Sequence, residues 1–349
     1  MPGTGTWGRF RGRAAFAWPA LLTLALALVL APAPAPAQET APGQFQAIAQ
    51  DDGFFIAPKL KRYLHSHTSY QFGDPFDKNI NPLSRLEFPL NSWWGGLTMS
   101  WRKPGYALNL EAMTNLSRQT DAGKFKDSDW EEPGRLTIYS EDNCRMERSF
   151  TLDVNADFSL AESLALPKGL DLRPVVGWRW QRFTLVPHDG YQNVLEPDGG
   201  WQTQFNFIGD TIWFRQDYVQ GYAGVKILAD LPASWPRGSG GQRAGVFLQG
   251  DWGPVAGQNK DRHLLRAGDR VTEESTKGDA WHLALGIKVP VSDLGTVSLG
   301  CDYLRIRTTG DHYLYNDLGT GEPVEITFSD GVKVWSDQIA FVLAWEIAL

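Results

Sequence analysis

Two short polar triplets carry the residues of this chain that are best suited to hydrolytic chemistry. Asp127-Ser128-Asp129 sets two carboxylates two positions apart, and Asp261-Arg262-His263 does the same for a carboxylate and an imidazole. In extended backbone alternate side chains share a face, so each triplet offers both of its groups to one space. Two adjacent carboxylates raise one another's pKa, and a carboxylate beside a histidine fixes its tautomer. Together the four groups could hold a water for attack on a carbonyl, with His263 taking the proton.

Neither triplet is specific by itself, because acidic residues in polar segments are most often solvated surface. Two other histidine patterns compete with them. Asp311-His312 is a second acid–imidazole pair, which lacks the intervening residue, and His65-x-His67 shares one strand face but has no evident third metal ligand. We therefore predict no metal site, and the two triplets can act together only if the fold brings them close to one another.

The composition narrows the class of protein. The chain has 349 residues, a formal net charge of −7 and no basic run, so a nucleic-acid partner is not expected. Its mean hydropathy of −0.30 is too polar for a bundle of membrane helices. A transmembrane barrel can be this polar because only alternate residues face lipid, and the 15 tryptophans fit its interfacial girdles. The two cysteines, Cys144 and Cys301, lack metal-ligand spacing, and their pairing is left open.

The N-terminus has the features of a targeting segment. Arg9, Arg11 and Arg13 precede an apolar run over 16–31, and Ala35-Pro36-Ala37 fits a small-x-small cleavage site. We therefore predict a signal peptide over residues 1–37, a leader over 38–52 and a β-barrel over 53–349. No later stretch approaches the roughly 18 apolar residues that a membrane helix needs.

From the leader onward the dominant pattern is period two. At the C-terminus Phe341, Leu343, Trp345 and Ile347 alternate with Val342, Ala344 and Glu346, and similar runs recur upstream. Asp153, Asp157, Arg173 and Arg179 fall on the polar faces, where they are expected to pair inside a barrel. Tryptophans expected as girdle anchors are Trp93, Trp94, Trp101, Trp178, Trp281 and Trp345. The pattern predicts ten strands, at 56–73, 83–102, 105–119, 144–163, 169–186, 211–229, 242–257, 275–290, 294–310 and 333–349.

Connections between these strands alternate between short and long. Short turns face the periplasm in outer-membrane barrels and long loops face outward, so both triplets fall on the extracellular side. The predicted fold is all-β, a ten-stranded antiparallel transmembrane β-barrel with long extracellular loops. The Asp127 loop follows strand three and the Asp261 loop follows strand seven. Strands three and seven are four positions apart in a ring of ten, so these two loops are expected to face one another across a narrow barrel mouth.

At this point the sequence resembles the omptins, a family of outer-membrane aspartate–histidine endoproteases. The resemblance spans nearly the whole of the chain after the leader. Besides the two triplets, the matching pieces are Ser84-Arg85-Leu86-Glu87-Phe88, Trp130, Gly177-Trp178-x-x-x-Arg182-Phe183 and Tyr222-x-Gly224. The resemblance implies a ten-stranded barrel in which Asp127 and Asp129 polarise the water, His263 is the base and Asp261 orients His263.

The resemblance also implies partners and a location. The protein is expected in the bacterial outer membrane as a monomer, without a cofactor, cutting polypeptides that arrive from outside the cell. Omptins bind lipopolysaccharide through basic residues on the outer barrel face, and Arg182 matches one of them, although Asp217 stands at the partner position. Lipopolysaccharide is therefore a possible requirement for activity. Asn259 replaces an acidic substrate-binding residue and the region 68–71 has no acid, so a preference for Arg at the cleavage site does not carry over.

Two alternatives remain open at this stage. A catalytically degenerate barrel could serve as an adhesin or a structural outer-membrane protein, which would account for the changed substrate-pocket residues. Retention of all four catalytic residue types argues against it. A small solute channel is a third possibility, which conductance in planar bilayers would reveal.

Overall fold

The computed structural model describes residues 52–120, 123–232, 243–266, 268–291, 295–319 and 322–349, and the predicted signal peptide and nearly all of the predicted leader lie outside them. Every regular element in these ranges is a β-strand. The strands are β1 Gly53–Phe72, β2 Ser84–Pro89, β3 Trp93–Lys103, β4 Tyr106–Asn115, β5 Phe125–Asp129, β6 Ile138–Met146, β7 Phe150–Phe158, β8 Leu170–Leu195, β9 Trp201–Asn206, β10 Ile212–Asp230, β11 Gly245–His263, β12 Asp269–Pro290, β13 Thr296–Asp317 and β14 Val324–Ala348.

The strands close into an antiparallel ring that is ten strands wide. Seven of its sides are single strands, namely β8, β10, β11, β12, β13, β14 and β1. Each of the other three sides consists of two shorter strands, one in each half of the barrel. In one half β3, β4 and β7 lie between β1 and β8, and in the other half β2, β5 and β6 lie between the same two strands. The remaining strand, β9, pairs only with β8. The predicted fold class is confirmed.

An apolar belt surrounds the half of the barrel that contains β3, β4 and β7. Large hydrophobic side chains are exposed there, including Leu97, Met99, Val225, Leu283, Leu285, Phe341 and Leu343, with Trp252 and Trp281 toward one edge and Phe54 and Trp345 toward the other. Exposed apolar surface on this scale, flanked by aromatic residues, is typical of a lipid-facing barrel wall. Trp94 is an exception to the predicted girdle, because it is fully buried and donates from Nε1 to Ser92 Oγ. None of the described residues forms a helix that could span a membrane.

Charged side chains fill the interior at the level of the belt. Arg179 pairs with Asp153 at 2.9 Å, Arg173 with Asp157 at 2.5 Å, and Lys226 also reaches Asp157 at 2.7 Å. The predicted pairing of these lumen charges is confirmed, and it follows from the cost of leaving a buried charge uncompensated. A cavity of about 550 Å³ lies among them. The aromatic and aliphatic core lies farther along the barrel, and it includes Tyr70, Phe88, Phe125, Phe183 and Phe214.

The strands continue well beyond the bounds that the sequence predicted. Segments expected to be connections, such as 257–263, 269–274 and 310–317, belong to β11, β12 and β13. The physical reason is that apolar alternation marks a strand only where one face meets lipid. Beyond the belt both faces are polar or partly exposed, so the strands persist while their sequence signal fades. Cys144 and Cys301 are both free.

Candidate functional site

The carboxylate pair lies on a short strand at the end of the barrel beyond the belt. Asp127 and Asp129 belong to β5, which is hydrogen-bonded to β2 and β6, so both are on a strand and not in a loop. They share a face with Phe125, which is buried in the core, and this places both carboxylates on the inner face of the ring. The Ser84 hydroxyl lies 3.4 Å from Asp127 Oδ1.

The second triplet occupies the last three positions of β11, again on a strand. Asp261 is fully buried and the His263 side chain is 14% exposed, whereas Arg262 between them is exposed. The side chains of Asp261 and His263 therefore point into the barrel interior. His263 Nε2 lies 3.7 Å from Asp261 Oδ1, which is longer than a hydrogen bond.

A stack of aromatic rings joins the two sides of the barrel directly beneath these groups. Phe88 on β2 stacks on Phe214 of β10 with ring centroids 4.0 Å apart, and Phe125 packs on Phe88 at 4.8 Å. Phe125 is two residues before Asp127, and Phe214 is the register partner of Asp261. The stack therefore sets the separation of the carboxylate pair from the acid–imidazole pair, as interdigitated side chains do in narrow barrels.

Tyr70 ties the first strand to the acid–imidazole pair. Its hydroxyl donates a hydrogen bond to Asp261 Oδ2, and its ring stacks on Phe214 at 5.8 Å. Tyr70 lies within the stretch 68–71, where the sequence shows no acidic residue. The strand-one contribution to this site is therefore a buried hydroxyl that holds one oxygen of Asp261 in place.

Burial governs the electrostatics of the carboxylates. It raises the pKa of Asp127, and the charge of Asp129 raises it further. Burial also raises the pKa of Asp129, against which hydrogen bonding by Ser84 acts. The charge of Asp261 contributes to the raised pKa of Asp127, so the two halves of the site act on one another across the interior. Such a pair tends to hold a shared proton.

His263 has the opposite perturbation. Burial, together with the positive charges of Arg270 and Arg266, lowers the pKa of His263 to about 3. The imidazole is therefore neutral at physiological pH and able to accept a proton. Burial raises the pKa of Asp261, while the hydrogen bond from Tyr70 favours its ionised form.

A buried polar row lies one layer beneath Asp261. Gln216, Asn259, Glu274 and His312 are register partners on β10, β11, β12 and β13, and each is at most 5% exposed. His312 Nδ1 lies 2.8 Å from Glu274 Oε1, so this histidine pairs with Glu274 and not with Asp311. The His312 ring also stacks on Phe72 at 4.3 Å. Asp311 instead accepts a hydrogen bond from the backbone of Asp330. Asp311 and His312 therefore do not pair with one another, because the His312 side chain lies in the interior and Asp311 is at the surface.

Arg182 is on the outer face of β8, as its place in the alternation predicts. It is the register partner of Asp217 on β10, and its Nε donates to Asp217 Oδ1 at 2.7 Å. Arg215 lies 3.4 Å from the other oxygen of Asp217, and Trp180 Nε1 donates to the same carboxylate at 3.3 Å. The Arg182 side chain remains 32% exposed. Two guanidinium groups therefore flank one carboxylate beside the apolar belt.

The sequence missed several members of the site. Tyr70, Ser84, Arg270 and Glu274 all face the interior near the triplets; only Ser84 lies in a stretch that matches the omptins, and no role was predicted for it there. Strand alternation could have marked Tyr70 as inward-facing, since Thr68 and Tyr70 share a face. Arg270 and Glu274 lie in a segment that the pattern left outside any strand, so no facing could be assigned to them. Among the described residues no group of three or more His, Cys, Asp or Glu side chains could hold a metal ion.

Comparison with known proteins shows where this architecture has been seen before. The fold is similar to that of the outer membrane protease OmpT from Escherichia coli, with a TM-score of 0.69 and 14% sequence identity over 86% of this chain and 98% of that one. This confirms, at the level of fold, the resemblance inferred from the sequence. The translocator domain of the autotransporter NalP from Neisseria meningitidis gives a TM-score of 0.32 at 6% identity, covering 84% of this chain and 89% of that chain. No protein-family model and no curated protein sequence matches the chain.

Proposed function

We propose that this protein is an outer-membrane endopeptidase whose site end faces the exterior of the cell. The observation that carries the proposal is the convergence of four groups on one interior space. Asp127 and Asp129 approach it from β5, Asp261 and His263 approach it from β11, and the aromatic stack beneath them joins the two walls. Similarity to the fold of an outer membrane protease supports it.

The proposed reaction uses a water held between the carboxylate pair and His263. Asp127 and Asp129 bind and polarise the water, and the neutral His263 takes its proton while the oxygen attacks the peptide carbonyl. Asp261 stabilises the imidazolium that forms, and the Tyr70 hydroxyl keeps Asp261 in position. The imidazolium then gives its proton to the leaving amine as the C–N bond breaks. No Ser or Cys nucleophile is required.

The substrate is a polypeptide that reaches the open end of the barrel from outside. Asn259 has no charge, and Glu274 is buried against His312. Neither residue presents an exposed negative charge to a basic substrate side chain. A cleavage-site preference for Arg is therefore not part of the proposal, whereas Asn259 is proposed to contact the substrate from the floor of the site.

We also propose that lipopolysaccharide binds the outer wall near Arg182. The exposed edge of this guanidinium and the neighbouring Arg215 are suited to phosphate groups of the lipid. Asp217 competes with lipid phosphate for both guanidinium groups. The affinity of this site for lipopolysaccharide should therefore be lower than that of two arginines without a carboxylate partner. The requirement for the lipid is testable by adding it to the purified barrel.

The decisive experiment compares His263→Ala with the refolded wild-type barrel on a peptide library, with and without lipopolysaccharide. His188→Ala is the matched control, because His188 forms an acid–imidazole pair with Asp189 at 2.8 Å outside the site. Wild type and His188→Ala should cut the same peptides, and His263→Ala should lose at least about 10³-fold in kcat/KM. Equal cutting by His263→Ala would refute the assignment of the base. No cutting by the wild type would favour a catalytically degenerate barrel.

A further inference from the structure

One arginine that the proposed catalytic groups do not include is placed beside the proposed base, on the inner face of the barrel. Arg270 on β12 is the register partner of His263 on β11. Register partners on adjacent antiparallel strands point to the same face, so the guanidinium enters the space that His263 faces. Its Nε is buried and has no hydrogen-bond partner among the described residues. A buried charged donor left unpaired is costly, and it is found where a ligand or a reacting group completes the bonding.

The charge of Arg270 also acts on both halves of the site. Its charge interacts with Asp261 and Tyr70 on the one side and with Asp129 on the other. The substrate carbonyl must enter this same interval, because the attacking water is held by the carboxylate pair and loses its proton to His263. The guanidinium is therefore within the region where the carbonyl oxygen gains charge.

The other cations of the same hairpin behave differently. Arg262 faces outward and pairs with Asp269 at 2.9 Å, and Lys260 pairs with Glu273 at 2.6 Å. Both pairs are at the surface, where ion pairs contribute little to stability. Arg266 is exposed in the turn between the two strands, and its charge reaches His263 and the carboxylate pair from there. The inward-facing arginine is thus the one that combines burial, an unpaired Nε and a position next to the imidazole.

We propose that Arg270 is a further catalytic residue of this site, whose guanidinium donates hydrogen bonds to the carbonyl oxygen as it becomes an oxyanion. This inference rests on the endopeptidase function proposed above. As the water oxygen bonds to the carbonyl carbon, the π pair moves to the carbonyl oxygen and the water proton moves to His263. When the pair re-forms the C=O bond, the C–N bond breaks and the nitrogen takes the proton from His263.

The charge balance of the site favours such a donor. Asp127, Asp129 and Asp261 surround the reaction space with acidic groups, which would repel a developing negative charge in a water-poor interior. A fixed cation aimed at that charge stabilises the transition state more than the ground state, because the neutral carbonyl interacts with it only weakly.

The test measures kcat and KM across pH for wild type, Arg270→Met, Arg270→Lys and the matched control Arg262→Met, using a peptide that the wild type cuts. Arg270→Met should lower the pH-independent kcat by about 10²–10³-fold with a small change in KM. Arg270→Lys should recover part of this loss, and Arg262→Met should match the wild type. Heated and unheated migration in detergent gels verifies that each barrel is folded.

A purely electrostatic role predicts a different result. If Arg270 acts only by suppressing protonation of His263, Arg270→Met will shift the acidic limb of the profile to higher pH and leave the plateau unchanged. That outcome, or a plateau loss below about 3-fold, would overturn the proposal while leaving the endopeptidase function intact. A wild-type barrel that cuts no peptide would overturn the endopeptidase function and, with it, this role of Arg270.

Discussion

The Tyr70 hydroxyl donates a hydrogen bond to Asp261 Oδ2 across the interior of the barrel, from the first strand to the eleventh. The two residues are 191 positions apart in the chain, and both are fully or almost fully buried. This bond fixes one oxygen of Asp261 and leaves the other, Oδ1, on the side of His263. The geometry of the acid–imidazole pair thus depends on a strand that contributes no acid to the site.

Replacement of Tyr70 by Phe should therefore weaken both activity and stability. The variant keeps the stacking on Phe214 but leaves Asp261 without its donor, which costs about 1–3 kcal/mol for a buried acceptor. We expect kcat to fall roughly 10-fold or more as His263 loses its fixed partner. Tyr139→Phe is the control, since it removes a tyrosine–carboxylate bond to Glu141 away from the interior. Equal kcat and unfolding midpoint in the two variants would show that Tyr70 does not position Asp261.

Asp127→Asn should make the barrel more stable at neutral pH while lowering its activity. Burial and Asp129 raise the pKa of Asp127, so the folded state prefers the neutral form. The contribution of this group to stability is present below its unfolded pKa and is lost as pH rises through the folded pKa. Asn mimics the neutral form, so the gain over wild type should appear at pH 7 and vanish below about pH 4.

Denaturant unfolding at both pH values measures this effect, and Asp198→Asn, on an exposed turn, is the control. Peptide cleavage by Asp127→Asn should fall by about 10²-fold or more, because the polarising carboxylate is lost. A variant that is less stable than the wild type at pH 7 would contradict the predicted charge penalty.

His263→Gln should flatten the dependence of stability on pH. The pKa of His263 is lowered from 6.5 to about 3 in the folded barrel. Between these values the unfolded chain binds a proton that the folded chain does not, so wild-type stability declines as pH falls through this window. Glutamine does not titrate. Unfolding midpoints should therefore favour His263→Gln more at about pH 4 than at pH 7. Parallel curves for His263→Gln and wild type would show that the imidazole is not desolvated.

Asp217→Asn should strengthen the binding of lipopolysaccharide. The substitution removes the carboxylate that engages Arg182 at 2.7 Å and Arg215 at 3.4 Å, so both guanidinium groups become available to lipid phosphate. We expect affinity to rise several-fold and to fall again in Asp217→Asn/Arg182→Ala, measured by titration of lipopolysaccharide into the detergent-solubilised barrel. Unchanged affinity in both variants would place the lipid site elsewhere.

Alternation along the chain is enough to predict which residues face inward, and which strands carry them, within the lipid-facing part of the barrel. The pleat fixes alternate side chains to opposite faces, so Asp127 and Asp129, or Asp261 and His263, must share a side wherever the backbone is extended. The outward facing of Arg182 and the inner charges around Asp157 followed from the same rule. Strand ends above the belt were not predictable, because alternation of apolar residues ends where lipid contact ends.

The distance between the two triplets, and the side chains that lie between them, depend on how the closed ring packs. Their separation is set by the Phe88–Phe214 stack, and the orientation of Asp261 is set by Tyr70. Arg270 comes beside His263 through the β11–β12 register, and His312 reaches Glu274 through the β12–β13 register. Such contacts depend on the stagger and cross-section of a closed ring, which arise from all ten strands together and not from the spacing of residues along any one of them.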